Sequence, residues 1–486
     1  METWLLVLLV GPPMAGAALA AVAPRAIVPV SRLNAATMPI SAAAALVLAA
    51  GLAAGGPPVV IGTTWRIDAL SALLALLVSV VSTLAVWLGP GLAADDEPAR
   101  AEARVFRVYT NMFAATMLLA VTADNLGVMW VAIEASTVTS ALLIPLRRTK
   151  ASVEASWKYL LIGSVGIALA FTGTVLTFVD YASTGADVEL ALNWTTLVAA
   201  APGLHPEVVR LAFVFLLVGF GTKAGLVPMH TWLPDAHSEA PAPLSAMMSG
   251  VLLAVALYAL ARWKIIIDLA LATSFTDTLL LIVAVATVAL GSVSLVTQRD
   301  YKRLLAYSSI EHIGLACFGL ALGAPGLFAA LLHVTGHALA KSVAFLLSGR
   351  ILVRYRTHEI AGAPGVGTAL PATGALFALG VLALGGLPPF GLFLSEILLV
   401  RAGWIAGHTV LTGVVLVLLL VAFASLVHHA QRLLLGAPPA DVAVGERLTW
   451  TTAILALPLV ALAWIGVAMP AGLHNLIAHA VEVLQP

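Results

Sequence analysis

The side chains that could carry out chemistry in this sequence are charged groups and imidazoles that lie within apolar segments. Lys223 is the first of these, since a lysine at the centre of a bilayer costs about 2.5–3.5 kcal/mol and is usually functional. Glu134 lies in a second apolar segment whose neighbouring side chains are hydroxylic: Ser136, Thr137, Thr139 and Ser140. If the two lie together, a shift of charge at Glu134 would switch Lys223 between its protonated and neutral forms. This switching predicts a proton relay.

A second group lies in the segment LLHVTGHALAKSVAFLL. Its His333, His337 and Lys341 are four residues apart, so they share one helix face over about 12 Å. Histidine titrates near neutral pH, which suits proton transfer through ordered water. The alternative is two histidines that bond to neighbouring backbone groups. A zinc site is not expected, because lysine is not a zinc ligand and no third ligand is evident.

Four further candidates are less sharply indicated. Glu396 lies inside another apolar segment, and Glu311 and His312 either line the same path or satisfy a helix crossing. His230 follows Lys223 closely. Four other groups are expected at the membrane edge, with capping or interfacial roles as the alternative to function: Asp235, His237, His428 and His429.

The composition defines the class of protein that must position these groups. The chain is 61% hydrophobic and only 10% charged, with a mean hydropathy of +1.04. So few charges could not cover a soluble protein of 486 residues, so the chain is expected to be an all-α polytopic membrane protein. A net charge of zero gives no indication of nucleic acid, and the lone Cys317 excludes a disulfide framework or a cysteine-ligated cluster.

The apolar segments predict about fourteen transmembrane helices in a single membrane domain, 1–486. The seventh and twelfth are interrupted by glycine and proline, at 221–228 and 385–389. Interrupted segments five helices apart predict two inverted five-helix repeats. The predicted parts are peripheral helices 1–3 in 1–107, helices 4–8 in 108–264, helices 9–13 in 276–431 and helix 14 in 449–471.

The basic residues predict the orientation. Most of the 24 lysines and arginines fall in alternate loops, which the positive-inside rule places on the inner side. Both termini would then face the outer side of a prokaryotic cell membrane. Lys302 is assigned to an inner loop and Arg262 to an outer one. Only Lys223 and Lys341, among the basic residues, are not assigned to a loop and lie inside predicted membrane segments.

The polar motifs carry a resemblance to a known family. GTKAGLVPMHTWLPDAHSEAPAPL, KRLLAYSSIEHIG, GHALAKSVAFLLSGRI and PPFGLFLSE are similar to motifs of the antiporter-like, proton-conducting membrane subunits. Respiratory complex I, the multisubunit Na+/H+ antiporters and the membrane-bound hydrogenases share that family. YSSIEHIG and the PPFG…SE motif are most similar to the hydrogenase-4 component F branch.

The resemblance implies a central polar axis. It implies that Glu134 in helix 5 pairs with Lys223 in helix 7, that the helix 11 residues continue the axis, and that Glu396 opens the outer path. One departure is that helix 8 offers no internal lysine or histidine, since Lys264 comes only at its end. His230, trapped water or the Glu311–His312 pair would have to bridge that step.

The expected function is proton translocation by a membrane subunit of a redox-driven ion-pumping complex. The chain shows no cofactor motif, so other membrane subunits and soluble redox subunits would carry the redox chemistry. Two alternatives are a subunit of a cation/proton antiporter, which could move Na+, and a proton-driven membrane partner of an inorganic-carbon uptake complex.

Overall fold

The computed structural model describes residues 2–22, 27–89, 97–185 and 187–485. A short antiparallel hairpin, β1 Val59–Ile61 with β2 Trp65–Ile67, precedes the third helix. The helices in chain order are α1 Glu2–Val22, α2 Ile27–Ala53, α3 Ala69–Leu88, α4 Glu97–Thr122, α5 Leu126–Ala141, α6 Lys150–Ser183, α7 Trp194–Ala200, α8 Pro206–Ala224, α9 Trp232–Glu239, α10 Ala242–Met247, α11 Leu253–Leu271, α12 Phe275–Val296, α13 Tyr301–Leu320, α14 Gly323–Tyr355, α15 Val366–Ala369, α16 Pro371–Leu384, α17 Gly391–Ile405, α18 Thr409–Leu434, α19 Trp450–Val467 and α20 Ala471–Val483.

The helices form a multi-pass membrane protein, as predicted. Within the described ranges, 11 helices are long and apolar enough to cross a bilayer. The apolar stretches of α14 and of the continuous segment α10–α11 are entirely buried by other helices, whereas only 28% of the apolar stretch of α18 is buried. These stretches of α14 and α10–α11 therefore form the centre of the bundle, and a polar side chain within them is enclosed by other helices.

Two segments are broken where glycine and proline interrupt the sequence. After α8, Gly225 takes a left-handed conformation (φ 77°), and the indole of Trp232 donates to the carbonyl of Thr222 at 2.8 Å. After α16, Gly386 is also left-handed (φ 66°), and the Leu387 amide donates to Leu382 at 3.2 Å. Backbone groups freed inside a membrane must find partners, and these contacts supply them.

Arg262 is not the outer-loop charge that the sequence suggested. It lies on α11 with only 4% of its surface exposed, and its Nη2 donates to both carboxylate oxygens of Asp68, at 2.6 and 2.7 Å. Asp68 also accepts from the Ser71 amide and so caps α3. Burial alone would raise the pKa of the Asp68 carboxyl, but the charge and hydrogen bonds of Arg262 hold it below its ordinary value. The pair ties α3 to α11.

Lys302 is a second correction to the loop assignments. It opens α13, is only 1% exposed, and donates to the carbonyls of Ser238 at 2.7 Å and Ala240 at 2.6 Å. These are the carbonyls at the end of α9, where a helix leaves acceptors unpaired. Lys302 therefore joins α13 to the second part of the first broken segment.

Candidate functional site

Lys223 lies at the centre of a hydrogen-bonded group on α5, α6 and α8. We call it the lysine cluster, and it consists of Glu134, Thr137, Tyr159, Ser164 and Lys223. The lysine is fully buried, and its Nζ donates to Thr137 Oγ1 and to the Tyr159 hydroxyl, both at 2.7 Å. The ammonium also lies 4.8 Å from the centre of the tyrosine ring. A buried charge is tolerable only when it is paired or hydrogen-bonded, and these contacts meet that requirement.

Glu134 reaches Lys223 through a hydroxyl group. Thr137 Oγ1 donates to Glu134 Oε2 at 3.3 Å and accepts from Lys223, while Ser164 donates to the other carboxylate oxygen at 2.7 Å. The sequence singled out Glu134 and Lys223, which the fold brings together with Thr137 between them. It missed Tyr159, because a tyrosine in an apolar helix carries no local signal of such a contact.

The second group lies on α13, α14 and α17. We call it the histidine cluster, and it consists of Glu311, His312, His333, His337, Lys341 and Glu396. His312 Nδ1 and His333 Nε2 are 3.0 Å apart, and His333 Nδ1 lies 2.9 Å from Ser395 Oγ. Glu311 Oε2 is 3.7 Å from His312 Nε2. Three helices thus bring together the residues that the sequence placed in separate segments.

Several polar atoms of the histidine cluster lack partners. Among the described residues, neither ring nitrogen of His337 has a hydrogen bond, nor do Glu311 Oε1 and His312 Nε2. The rings of His337 and His312 are 5.4 Å apart. Lys341 is satisfied, since its Nζ donates to the Leu305 carbonyl at 2.8 Å. Unpaired buried polar atoms are costly, so this arrangement is suited to an exchangeable occupant.

Glu396 lies beside the second helix break. Its carboxylate packs directly on Gly386, so that a Cβ at this position would overlap Glu396 Oε2. A left-handed glycine is therefore required there for both its backbone conformation and its small size. Glu396 itself is half-buried.

The histidine cluster also contains a group of potential metal ligands. One ligand atom each from His312, His333 and Glu396 lie within 4.8 Å of one another. The sequence offered two histidines on one helix without a third ligand. The fold supplies ligands from two other helices.

The space between the two clusters contains His237. It is fully buried, with its ring 6.0 Å from that of Trp232 and 5.8 Å from that of Phe345. Neither of its ring nitrogens has a hydrogen-bond partner in the part of the chain that the structure describes. His230 is only half-buried, in the link between α8 and α9. His237 is therefore a better candidate than His230 for a residue that links the two clusters.

The capping and interfacial candidates have separate surroundings. Asp235 forms ion pairs with Lys158 at 3.2 Å and Arg303 at 2.5 Å. His428 is exposed, while His429 is buried and lies 3.0 Å from the Leu295 carbonyl. These contacts explain Asp235 and His429 as groups that join helices.

Comparison with known families identifies the chain. Residues 123–423 match the family described as NADH:quinone oxidoreductase/Mrp antiporter, TM. The chain belongs to this family. The matched range contains every residue of the lysine and histidine clusters, together with His230 and His237.

Individual relatives in the family cover most of the chain. A hydrogenase-4 component F homolog of Methylacidiphilum infernorum is 38% identical, over 78% of this chain and 81% of the relative. NADH-quinone oxidoreductase subunit N of Desulforudis audaxviator is 32% identical, over 78% and 77%. A chain of the membrane-bound sulfane sulfur reductase, an archaeal respiratory membrane complex, shares the fold with a TM-score of 0.88 at 24% identity, covering 100% of this chain and 98% of that chain.

Proposed function

We propose that this chain is the proton-translocating membrane subunit of a redox-driven ion-pumping complex. The observation that carries the proposal is the buried lysine of the lysine cluster, linked through one threonine hydroxyl to a half-buried carboxylate. Such a pair can exchange a proton, because each change of charge at Glu134 alters the stability of the ammonium at Lys223.

The proposed path crosses the bundle in an ordered series. A proton would pass from Glu134 to Lys223, then by way of His237 to the histidine cluster, and leave past Glu396. His237 supplies the step that the sequence of helix 8 leaves without a basic residue. The rings of Trp232 and Phe345 flank it, and Trp232 lies 4.7 Å from the Tyr159 ring that contacts Lys223.

The expected partners are other membrane subunits and soluble redox subunits. The relatives support this, since one is named as a homolog of a hydrogenase component and another as a subunit of an NADH-quinone oxidoreductase. This chain would supply the path for protons, and any redox cofactors would lie in partner chains.

The proposed membrane topology has about fourteen crossings. Three segments would add to the 11 apolar spans: α8, α13 and the broken pair α16–α17. The first two carry candidate relay residues and other charges, which makes them less apolar. The repeats would span 108–264 and 276–431 in inverted orientation, with both termini on the outer side of a prokaryotic inner membrane.

Site-directed labelling tests this topology. A cysteine introduced at exposed Thr149 should react with an impermeant thiol reagent only from the cytoplasmic side. The native Cys317 is buried and provides no competing site. Labelling from outside intact cells would refute the orientation.

Proton movement by the purified complex tests the function. The complex is reconstituted in vesicles, its redox reaction is started in sodium-free medium, and internal pH is followed with a dye. Lys223→Met should abolish acidification while the complex still assembles, and Lys150→Met, the same change at an exposed lysine, should leave it unchanged. Glu134→Gln should behave as Lys223→Met does. Normal acidification in either cluster variant would refute the relay.

A further inference from the structure

The histidine cluster contains the donor set of a transition-metal site. His312, His333 and Glu396 each offer one ligand atom, and these atoms lie within 4.8 Å of one another. His312 Nδ1 and His333 Nε2 are hydrogen-bonded to each other at 3.0 Å, and an ion bound by both nitrogens would replace this hydrogen bond. Two imidazoles and a carboxylate are ligands that zinc takes in sites with an open fourth position.

The surroundings of His333 would hold it as a ligand. Its remaining nitrogen lies 2.9 Å from Ser395 Oγ, whereas the remaining nitrogen of His312 is 3.7 Å from Glu311 Oε2, which is beyond hydrogen-bonding distance. Histidines that bind a metal normally donate their other N–H group to a nearby oxygen, as His333 could to Ser395. Binding would need only a tautomer in which each of these outer nitrogens holds its proton.

Three charged side chains surround the position. Glu396 lies close to both histidines, Glu311 lies 3.7 Å from His312, and Lys341 interacts electrostatically with Glu311 and His312. The two carboxylates would lower the cost of burying a divalent cation, and the Lys341 ammonium would raise it. Magnesium and calcium prefer sites made only of oxygen ligands, so the imidazoles favour a transition metal.

We propose that His312, His333 and Glu396 bind one divalent transition-metal ion of the zinc type between α13, α14 and α17. The metal would reach the position from the rim of the bundle, since Glu396 is half-buried while both histidines are almost fully enclosed. This differs from the sequence expectation of no metal, because the ligands come from three separate segments.

Zinc binding to the full chain in lipid nanodiscs tests the proposal. After chelator treatment, zinc is titrated in competition with a chromophoric chelator. One ion should bind per chain, and His333→Gln and Glu396→Gln should each abolish this binding. His428→Gln, which removes an exposed histidine, should retain it. Ser395→Ala should weaken it by about 10–100-fold, the usual cost of losing a partner of a ligating histidine.

Spectroscopy on the unmodified chain keeps the test independent of how the variants fold. X-ray absorption at the zinc edge should show nitrogen and oxygen neighbours at about 2.0–2.2 Å, with the multiple-scattering pattern of two imidazoles. Absence of stoichiometric binding, binding that survives His333→Gln, or a spectrum without imidazole would each refute the site.

The metal inference does not depend on proton translocation. A bound ion would occupy side chains of the proposed path, so zinc should also slow acidification by the reconstituted complex, and this consequence alone rests on the proposed function. Lys223→Met should lose acidification but still bind zinc. The two proposals can therefore fail separately.

Discussion

The lysine cluster and the histidine cluster both contain buried charged side chains, but they differ in how completely these are hydrogen-bonded. Lys223 donates to two hydroxyls, and Glu134 accepts from Thr137 and Ser164, so the lysine cluster has its principal charged groups paired. In the histidine cluster, His337 is unbonded at both ring nitrogens within the described residues. The charged groups of the lysine cluster are thus stabilised by hydrogen bonds, whereas the histidine cluster has nitrogen atoms that could bind water, a proton or a metal ion.

A third polar contact, the buried ion pair of Asp68 with Arg262, should show the largest loss of stability when it is broken. Asp68→Ala would leave Arg262 charged and buried without its carboxylate, and breaking a buried pair costs about 3–5 kcal/mol. Thermal unfolding in detergent should show this loss. Because the pKa of Asp68 is lowered in the folded protein, its contribution is present at neutral pH and is lost as the pH falls through that pKa. A loss that stays constant into acid would contradict the assignment.

Gly386→Ala tests whether the second helix break requires glycine at this position. Alanine would adopt a left-handed backbone at a cost of about 1–2 kcal/mol. Its Cβ would also force the Glu396 carboxylate to move. We expect a lower unfolding temperature together with impaired proton movement. Gly380→Ala, at a helical position with open space around a new Cβ, is the control and should be close to neutral. Equal behaviour of the two variants would refute the role of the break.

Thr137→Val tests the paired character of the lysine cluster. Valine keeps the shape of threonine but removes the hydroxyl between Glu134 and Lys223, and an incompletely bonded buried group costs about 1–3 kcal/mol. We expect lower stability in denaturation and slower proton movement. Thr137→Ser, which keeps the hydroxyl, should restore most of the proton movement. If valine and serine behave alike, the hydroxyl does not connect the two groups.

His337→Leu tests the opposite character of the histidine cluster. Replacing an unbonded buried imidazole by an apolar side chain should leave stability unchanged or raise it by up to about 1–3 kcal/mol. Proton movement should nevertheless be lost if His337 lies on the path. Denaturation and vesicle acidification measured on the same preparation give both answers. A strongly destabilised protein would show that His337 is a structural residue, and the contrast between the clusters would disappear.

The sequence by itself determined the class of protein and most of the candidate residues. A charge in an apolar segment stands out locally, because the bilayer penalises it whatever its neighbours are. This argument found Lys223, Lys341, Glu134 and Glu396, and the glycine and proline runs marked both helix breaks. The quoted motifs indicated the family, which the comparison over residues 123–423 confirmed.

Only the tertiary structure decided which groups touch. The spacing of residues along one helix shows which share a face, but the contacts of that face depend on how neighbouring helices pack. Thr137 and Tyr159 became partners of Lys223 in this way, and His237 was found to be fully buried. Arg262 and Lys302 looked like loop charges because their partners, Asp68 and the end of α9, are distant in sequence. The same packing brought Glu396 to His312 and His333, a meeting of three helices that no spacing along the chain could have indicated.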